Sequence, residues 1–202
     1  GGVPGVPPAE VVILGAGVVG SNAARAFLGL GANVYALDKS LRALERIDTV
    51  YGGRVVTLVS HPYNIEKMVR FADVLVGAVQ TAGMRSPILV TRDLLRRMKP
   101  RSIVMDVSVS SGGCFETTRP TTHTAPTYVE EGIIHYCVPN MSGIVARTAT
   151  HAFNNAAWPL IHSIARDGLD AALEQSPALA RGVNVRDGEV IHPGLAAAMA
   201  VS

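Results

Sequence analysis

The sequence predicts an α/β domain built on a doubly wound parallel sheet, with a helical tail after it. Three observations carry that prediction. Short, wholly apolar and β-branched runs recur, the first being Val11-Val12-Ile13-Leu14, and such runs suit strands buried on both faces. Segments rich in helix formers separate these runs, and strand–helix units repeated at this length build a right-handed parallel sheet. Apolar residues make up 48% of the 202 and charged residues 17%. That balance excludes disorder, and a chain of this length buries roughly 70% of its unfolded surface.

Each element follows in order. Residues 1–10, GGVPGVPPAE, form a Gly/Pro-rich connector. A strand at 11–14 runs straight into GAGVVG at 15–20, and a helix over 21–32 closes near Gly31. Residues 33–38 read as a second strand ending on Asp38. A helix at 40–50, a strand at 54–59, a helix at 62–72 and a strand at 73–79 continue the alternation. After a loop at 80–90, a short basic helix spans 91–99 and stops at Pro100. Residues 102–107 form a buried strand, 108–131 read as irregular, and 133–137 form a sixth strand. Residues 144–167 then show helical periodicity, with Ala146, Ala149, Phe153, Ala156, Ala157, Leu160 and Ile164 near one face. Pro159 is expected to kink this helix. A short helix at 169–174 follows, and Asp187-Gly188 within 183–192 marks a hairpin.

Composition narrows function as well. The net charge is +2 and no basic run is interleaved with aromatics, which argues against nucleic acid. No apolar stretch reaches the roughly 18 residues that span a bilayer, and no signal peptide is visible. The two cysteines, Cys114 and Cys137, stand in no CxxC or Cys/His cluster. The expectation is therefore a cytoplasmic protein with no metal site and no membrane partner.

GAGVVG matches GxGxxG. The pattern is common alone, but here it follows a strand, opens a helix, and precedes an acid 18 residues beyond Gly20. Gly15 permits the tight turn, Gly17 lets a pyrophosphate approach the backbone, and Gly20 lets helix and strand pack closely. The helix N-terminus that follows offers free N–H groups and a positive dipole end. Asp38 is placed to accept from ribose hydroxyls and to repel a 2′-phosphate, which favours NAD over NADP. Lys39 and Arg42 lie nearby and keep NADP open. The competing readings are glycines that serve packing only and an Asp38 that merely caps the next helix. On the pattern the sheet is Rossmann-type.

Further along, PYNIE (62–66), GAV (77–79), GGCFETTRPTTH (112–123), HYCVPNM (135–141) and ARTAT (146–150) occur in order. With the opening GGVPGVPPAEVVILGAGVVGSNAA they resemble the NAD-binding half of bacterial alanine dehydrogenases, and PALARGVN (177–184) matches more weakly. A sister family, the nucleotide-binding component of proton-translocating transhydrogenase, shares the opening. It typically carries a long insertion after the third strand, which this chain lacks.

The resemblance implies an enzyme that converts L-alanine, NAD and water to pyruvate, ammonia and NADH. It implies that Gly15, Gly17, Val18, Val19 and Gly20 form the dinucleotide loop and that Asp38 holds the ribose. Ser60 would line the adenine side, and Val79 and Gln80 would flank the cofactor, although the family usually has Leu where Gln80 stands. Val107 to Ser110 would lie beside the nicotinamide, with Arg119 and Val138 to Met141, including Asn140, as its remaining wall. It further implies a division into a cofactor domain at 1–143 and, at 144–202, a long helix and tail that return to a substrate domain. The substrate domain would supply the catalytic His, and homo-oligomers are usual. The chain begins with Gly rather than Met, which adds to the expectation of a piece of a longer protein.

One departure matters. The family usually reads Asp-Gln-Gly-Gly-Cys where this chain reads Ser110-Ser111-Gly112-Gly113-Cys114, and that Asp is catalytic. A serine holds no negative charge at neutral pH, so Ser110 cannot replace a carboxylate in proton handling. Asp106, four residues back on an extended strand, would lie about 13 Å away on the same face. The remaining candidates have plainer readings. His123 and His135 stand in no acid–His–nucleophile spacing and read as structural, Cys114 reads as a buried thiol, Arg147 as an interface or solvated cation, and Phe153 and Trp158 as packing residues. Two functions stay in view: the cofactor half of an alanine or other amino- or imino-acid dehydrogenase, and a stand-alone NAD(H)-binding or regulatory module.

Overall fold

Seven strands form one sheet: β1 (Glu10–Leu14), β2 (Asn33–Asp38), β3 (Val55–Val59), β4 (Val74–Gly77), β5 (Ile103–Asp106), β6 (Thr127–Glu130) and β7 (Ile133–Tyr136). The computed structural model describes residues 1–81 and 83–200. The strand order is β3-β2-β1-β4-β5-β7-β6. All neighbours pair parallel except β6, which runs antiparallel to β7. The order reverses between β1 and β4, the switch point of a doubly wound sheet. Helices α1 (Val18–Gly29), α2 (Leu41–Tyr51), α3 (Pro62–Phe71) and α4 (Arg92–Leu95) lie in the connections.

The central strand shows why the apolar run was needed. Val11 to Leu14 expose at most 1% of their surface. Successive strand side chains face opposite sides. Accordingly Val12 and Leu14 pack with Ile65, Met68, Leu75 and Val104, while Val11 and Ile13 pack with Ala24, Val34 and Ile47. A strand covered by helices on both faces has no solvent side to leave polar. The helices start and stop on local chemistry. The Ser40 hydroxyl accepts the Ala43 N–H to open α2, which ends on Gly52 in the left-handed region. Pro62 occupies the first turn of α3, where the His61 ring accepts the Asn64 N–H.

Three expectations need correction. The basic helix expected over 91–99 is a single turn, Arg92–Leu95, because beyond it the Arg97 and Met98 N–H groups bond only three residues back, to the Leu94 and Leu95 carbonyls. The stretch expected to be irregular over 108–131 contains β6. Its TYVE residues leave Thr127 and Val129 exposed, so its apolar content is that of a half-solvated edge rather than a buried strand. The tight turn into β7 uses Glu131 (φ +53°) and Gly132 (φ +73°). The sixth expected strand is β7, one residue shorter than 133–137.

The chain divides into two units, Gly1–Thr81 with Arg85–Pro139, and Ala82–Met84 with Asn140–Ser202. In the second, a 3-10 turn at Met141–Val145 leads into α5 (Ala146–Asp167), which continues through Pro159. Then come α6 (Leu169–Gln175), α7 (Pro177–Arg181), the hairpin β8 (Val185–Arg186) and β9 (Glu189–Val190), and α8 (Pro193–Ala200). Asp187 (φ +51°) and Gly188 (φ +85°) supply the hairpin turn. No residue of α5 is buried. Phe153 and Trp158, expected as packing residues, stand 68% and 62% exposed, while Ala149, Ala157 and Ile164 of the stripe that the periodicity marked are half-buried.

Candidate functional site

The first unit carries a cleft of about 580 Å³ at the C-terminal ends of β1, β2, β4 and β5. Ligands of open α/β sheets enter at this place, because the connections diverge there to opposite faces. Its wall is built from Gly15, Gly17, Val18 and Val19 after β1, and from Leu37, Asp38 and Lys39 at the end of β2. Ser60 after β3, Ala78 to Thr81 after β4, Pro87, Leu89, and Val107, Ser108, Ser110 and Ser111 after β5 complete it.

The three glycines of the turn have three different geometries. Gly15 sits at φ +105°, and a Cβ there would run into the Ala78 carbonyl. Its N–H donates to the Leu37 carbonyl at 2.7 Å, which ties the turn to β2. A Cβ on Gly20 would fall on the Gly15 carbonyl oxygen, so that glycine serves the strand–helix contact. A Cβ on Gly17 would meet nothing within 4 Å; it faces the open cleft. Gly17 is also the N-cap of α1, with no side-chain cap and no acid in the first turn. The leading N–H groups of the helix are therefore left to bind an anion.

Asp38 closes the other side of the turn. Its Oδ2 accepts the Ala16 N–H at 2.7 Å and its Oδ1 accepts the Ser40 N–H at 2.8 Å. Each carboxylate oxygen keeps a further lone pair for a hydroxyl donor. Both uses hold together: Asp38 organises the local backbone and still faces the cleft. Lys39 lines the cleft beside it and Arg42 does not.

The end of β5 departs from expectation. The sequence reading ended this strand at 107 and took the spacing from Asp106 to Ser110 as extended, but the strand stops at Asp106 and the chain curls into a 3-10 turn at Val109–Ser111. The cause is the Asp106 carboxylate, which is fully buried. It accepts the N–H groups of Ser108 and Cys114, each at 2.9 Å, and so folds the chain back on itself. Burial pushes its carboxyl above the usual range, against the opposing hydrogen bonds from Thr118, Cys114 and Ser108. Ser110 reaches the cleft, and Asp106 does not.

Other sequence candidates fall elsewhere. Gly20 lies behind the turn. Val138 is buried and Arg119 is exposed, and neither lines the cleft. The Arg119 guanidinium lies 3.8 Å above the Tyr128 ring, and Tyr128 in turn stacks on His135 at 4.8 Å. Asn140 and Met141 belong to the second unit. His135 is fully buried and bonded to the Thr117 hydroxyl and the Ile133 carbonyl, and burial lowers its pKa. Burial likewise pushes the Cys114 thiol far up, which leaves it inert as a nucleophile. Among the described residues no group of three His, Cys, Asp or Glu could hold a metal, and no helix is long and apolar enough to cross a membrane.

Sequence reasoning missed Thr81, Pro87, Leu89 and Ser111 as wall residues. They reach the cleft because the loop after β4 is fastened to the turn after β5. The Ser86 N–H donates to the Ser111 carbonyl, and the Leu89 N–H to that of Cys114, both at 2.8 Å. No spacing along the chain signals those contacts.

Comparison with known proteins decides the family. Residues 1–193 match the family described as alanine dehydrogenase/PNT, C-terminal domain. The chain belongs to that family. It is 50% identical over 197 residues to an alanine dehydrogenase of Halomonas elongata, covering 98% of this chain and 53% of that protein. It is 46% identical over 199 residues to an alanine dehydrogenase of Staphylococcus haemolyticus, with 98% and 53% covered. A solved L-alanine dehydrogenase superposes with a TM-score of 0.86 at 47% identity, over 100% of this chain and 55% of the other. A transhydrogenase from Sinorhizobium meliloti gives 0.69 at 25% identity, over 93% and 51%. This alanine dehydrogenase/PNT C-terminal chain thus spans about half the length of the relatives it matches.

Proposed function

We propose that this chain is the NAD-binding half of an alanine-dehydrogenase-like oxidoreductase, acting on L-alanine, NAD and water to give pyruvate, ammonia and NADH. The observation that carries the proposal is one juxtaposition. The uncapped N-terminus of α1, open at Gly17, and the Asp38 carboxylate face the same cleft at the sheet's switch point. These residues fit a dinucleotide. The Val18-Val19-Gly20 turn offers backbone donors to a pyrophosphate, and Asp38 offers acceptors to ribose hydroxyls. The negative charge of Asp38 disfavours a 2′-phosphate, which is the ground for NAD over NADP, with Lys39 opposing it.

Bound NAD supplies the hydride acceptor, and the protein supplies alignment. Leu37, Val79, Leu89 and Val107 give the cleft apolar walls. The Ser110 hydroxyl can donate or accept one hydrogen bond but stores no charge at neutral pH. We therefore expect the 202-residue chain to bind NAD without turning over alanine, the substrate domain supplying the missing groups. We further place the complete protein in the cytoplasm as a homo-oligomer.

Calorimetric titration of the chain tests the cofactor: NAD is expected to bind at least tenfold more tightly than NADP, and no heat with NAD would sink the proposal. In the complete protein, Ser110→Asp is expected to raise alanine turnover; unchanged turnover removes Ser110 as the site of loss. The missing carboxylate favours one second reading, an NAD(H)-binding regulatory module. Under it the complete protein binds NAD and oxidises no amino acid.

A further inference from the structure

We propose that Asp106 is a positioning residue for the β5 end of the cleft: from behind, its carboxylate holds the turn that presents Ser110 and Ser111. The inference rests on the NAD-binding reading. Asp38, at the end of β2, would take the adenosine half of the dinucleotide. The cleft continues past β1 and β4 to β5, so the turn after β5 meets the other half.

The hydrogen bonds assign the role. Asp106 Oδ1 accepts from the Ser108 N–H, and Oδ2 accepts from the Cys114 N–H and, at 2.5 Å, from the Thr118 hydroxyl. These donors come from both ends of the turn, so one side chain closes it like a clasp. The backbone passes too close for a side chain at Gly113, where φ is +79° and a Cβ would lie 2.6 Å from Oδ2. A buried carboxylate is costly unless its lone pairs are filled, and a packing role needs no charge. What this carboxylate achieves is to define the turn's shape. The turn is then fastened to the segment after β4, the Ser108 hydroxyl donating to the Val79 carbonyl at 2.7 Å and the Ser86 N–H to that of Ser111. Val79, Ser110 and Ser111 are thus set relative to one another by a group that does not itself reach the cleft.

The test uses Thr118→Val, which removes one of the donors to Asp106, and Asp106→Asn, which sets an NH2 against a backbone N–H. NAD and ADP are titrated calorimetrically, and amide hydrogen exchange is followed at Ser108 and Cys114. Thr118→Val is expected to weaken NAD about three- to tenfold, to leave ADP within about twofold, and to speed exchange at both amides. Asp106→Asn is expected to do the same more strongly; if it fails to fold, Thr118→Val decides. Unchanged exchange, unchanged NAD affinity, or NAD and ADP weakened equally would each overturn the inference. If the parent chain binds neither ligand, the NAD-binding reading fails and the inference falls with it.

Discussion

Replacing Gly17 with serine should separate cofactor binding from stability. Gly17 sits at φ −71° and ψ −163°, backbone that any residue adopts. A Cβ there meets nothing within 4 Å, so the substitution has no steric cost. Gly17 is the N-cap of α1 and offers no side-chain acceptor. Serine caps better than glycine by a few tenths of a kcal/mol, about 1 °C in Tm for a chain of this size. The same hydroxyl takes an N–H that the pyrophosphate needs and stands where it would lie. A hydrogen bond to a charged group is worth about 1.5–3 kcal/mol. At about 1.4 kcal/mol per decade, the Kd for NAD should rise roughly 10- to 150-fold. Calorimetric titration with NAD, paired with thermal unfolding, reads both quantities. A Kd within about threefold of the parent would refute the anion-site argument. A Tm lowered by more than about 3 °C, roughly 1 kcal/mol, would make Gly17 a structural glycine instead.

Further tests follow from the same geometry. Gly20→Ala should destabilise the fold by about 3 kcal/mol, the upper end of overpacking costs, because its Cβ falls on the Gly15 carbonyl; an unchanged urea midpoint contradicts this. Asp38→Ser removes the charge that opposes a 2′-phosphate and leaves Lys39, so the NADP-to-NAD affinity ratio should rise at least about tenfold; a fixed ratio counts against Asp38 as the selector. Glu131 is held down to about 2 by hydrogen bonds from Arg96 and then Arg92. Because its folded pKa is depressed, its contribution is full above its ordinary pKa near 4.5 and fades as pH falls from there toward about 2. Glu131→Gln should flatten the acid decline of stability in that window, and an identical decline in parent and variant would rule the cluster out as its source.

The glycine turn after β1 was legible in the sequence because everything that makes it is contiguous. A buried strand, a glycine that must turn, a glycine that must stay bare and a helix start lie between Val11 and Ser21. Asp38 was legible for a related reason: one helix and one parallel neighbour fix the distance along the chain to the next strand end. The edge strand β6 was not legible, because half-exposed residues carry no apolar alternation. The seat of Arg119 was not legible either, because it is an aromatic ring nine residues on, Tyr128, and a turn brings that ring underneath it.

Sequence alone thus determined the doubly wound class, the glycine turn between β1 and α1, the acid that faces it and the absence of a carboxylate at Ser110. Each depends on residue type and local spacing. Only the tertiary structure decided that β5 ends at Asp106, that the loop from Pro87 to Leu89 joins the cleft wall, and that Ser110 faces the cleft while the aspartate behind it does not. The physical reason is that a buried carboxylate must find donors wherever the chain can bring them. Those donors, on Ser108, Cys114 and Thr118, are set by folding back rather than by periodicity.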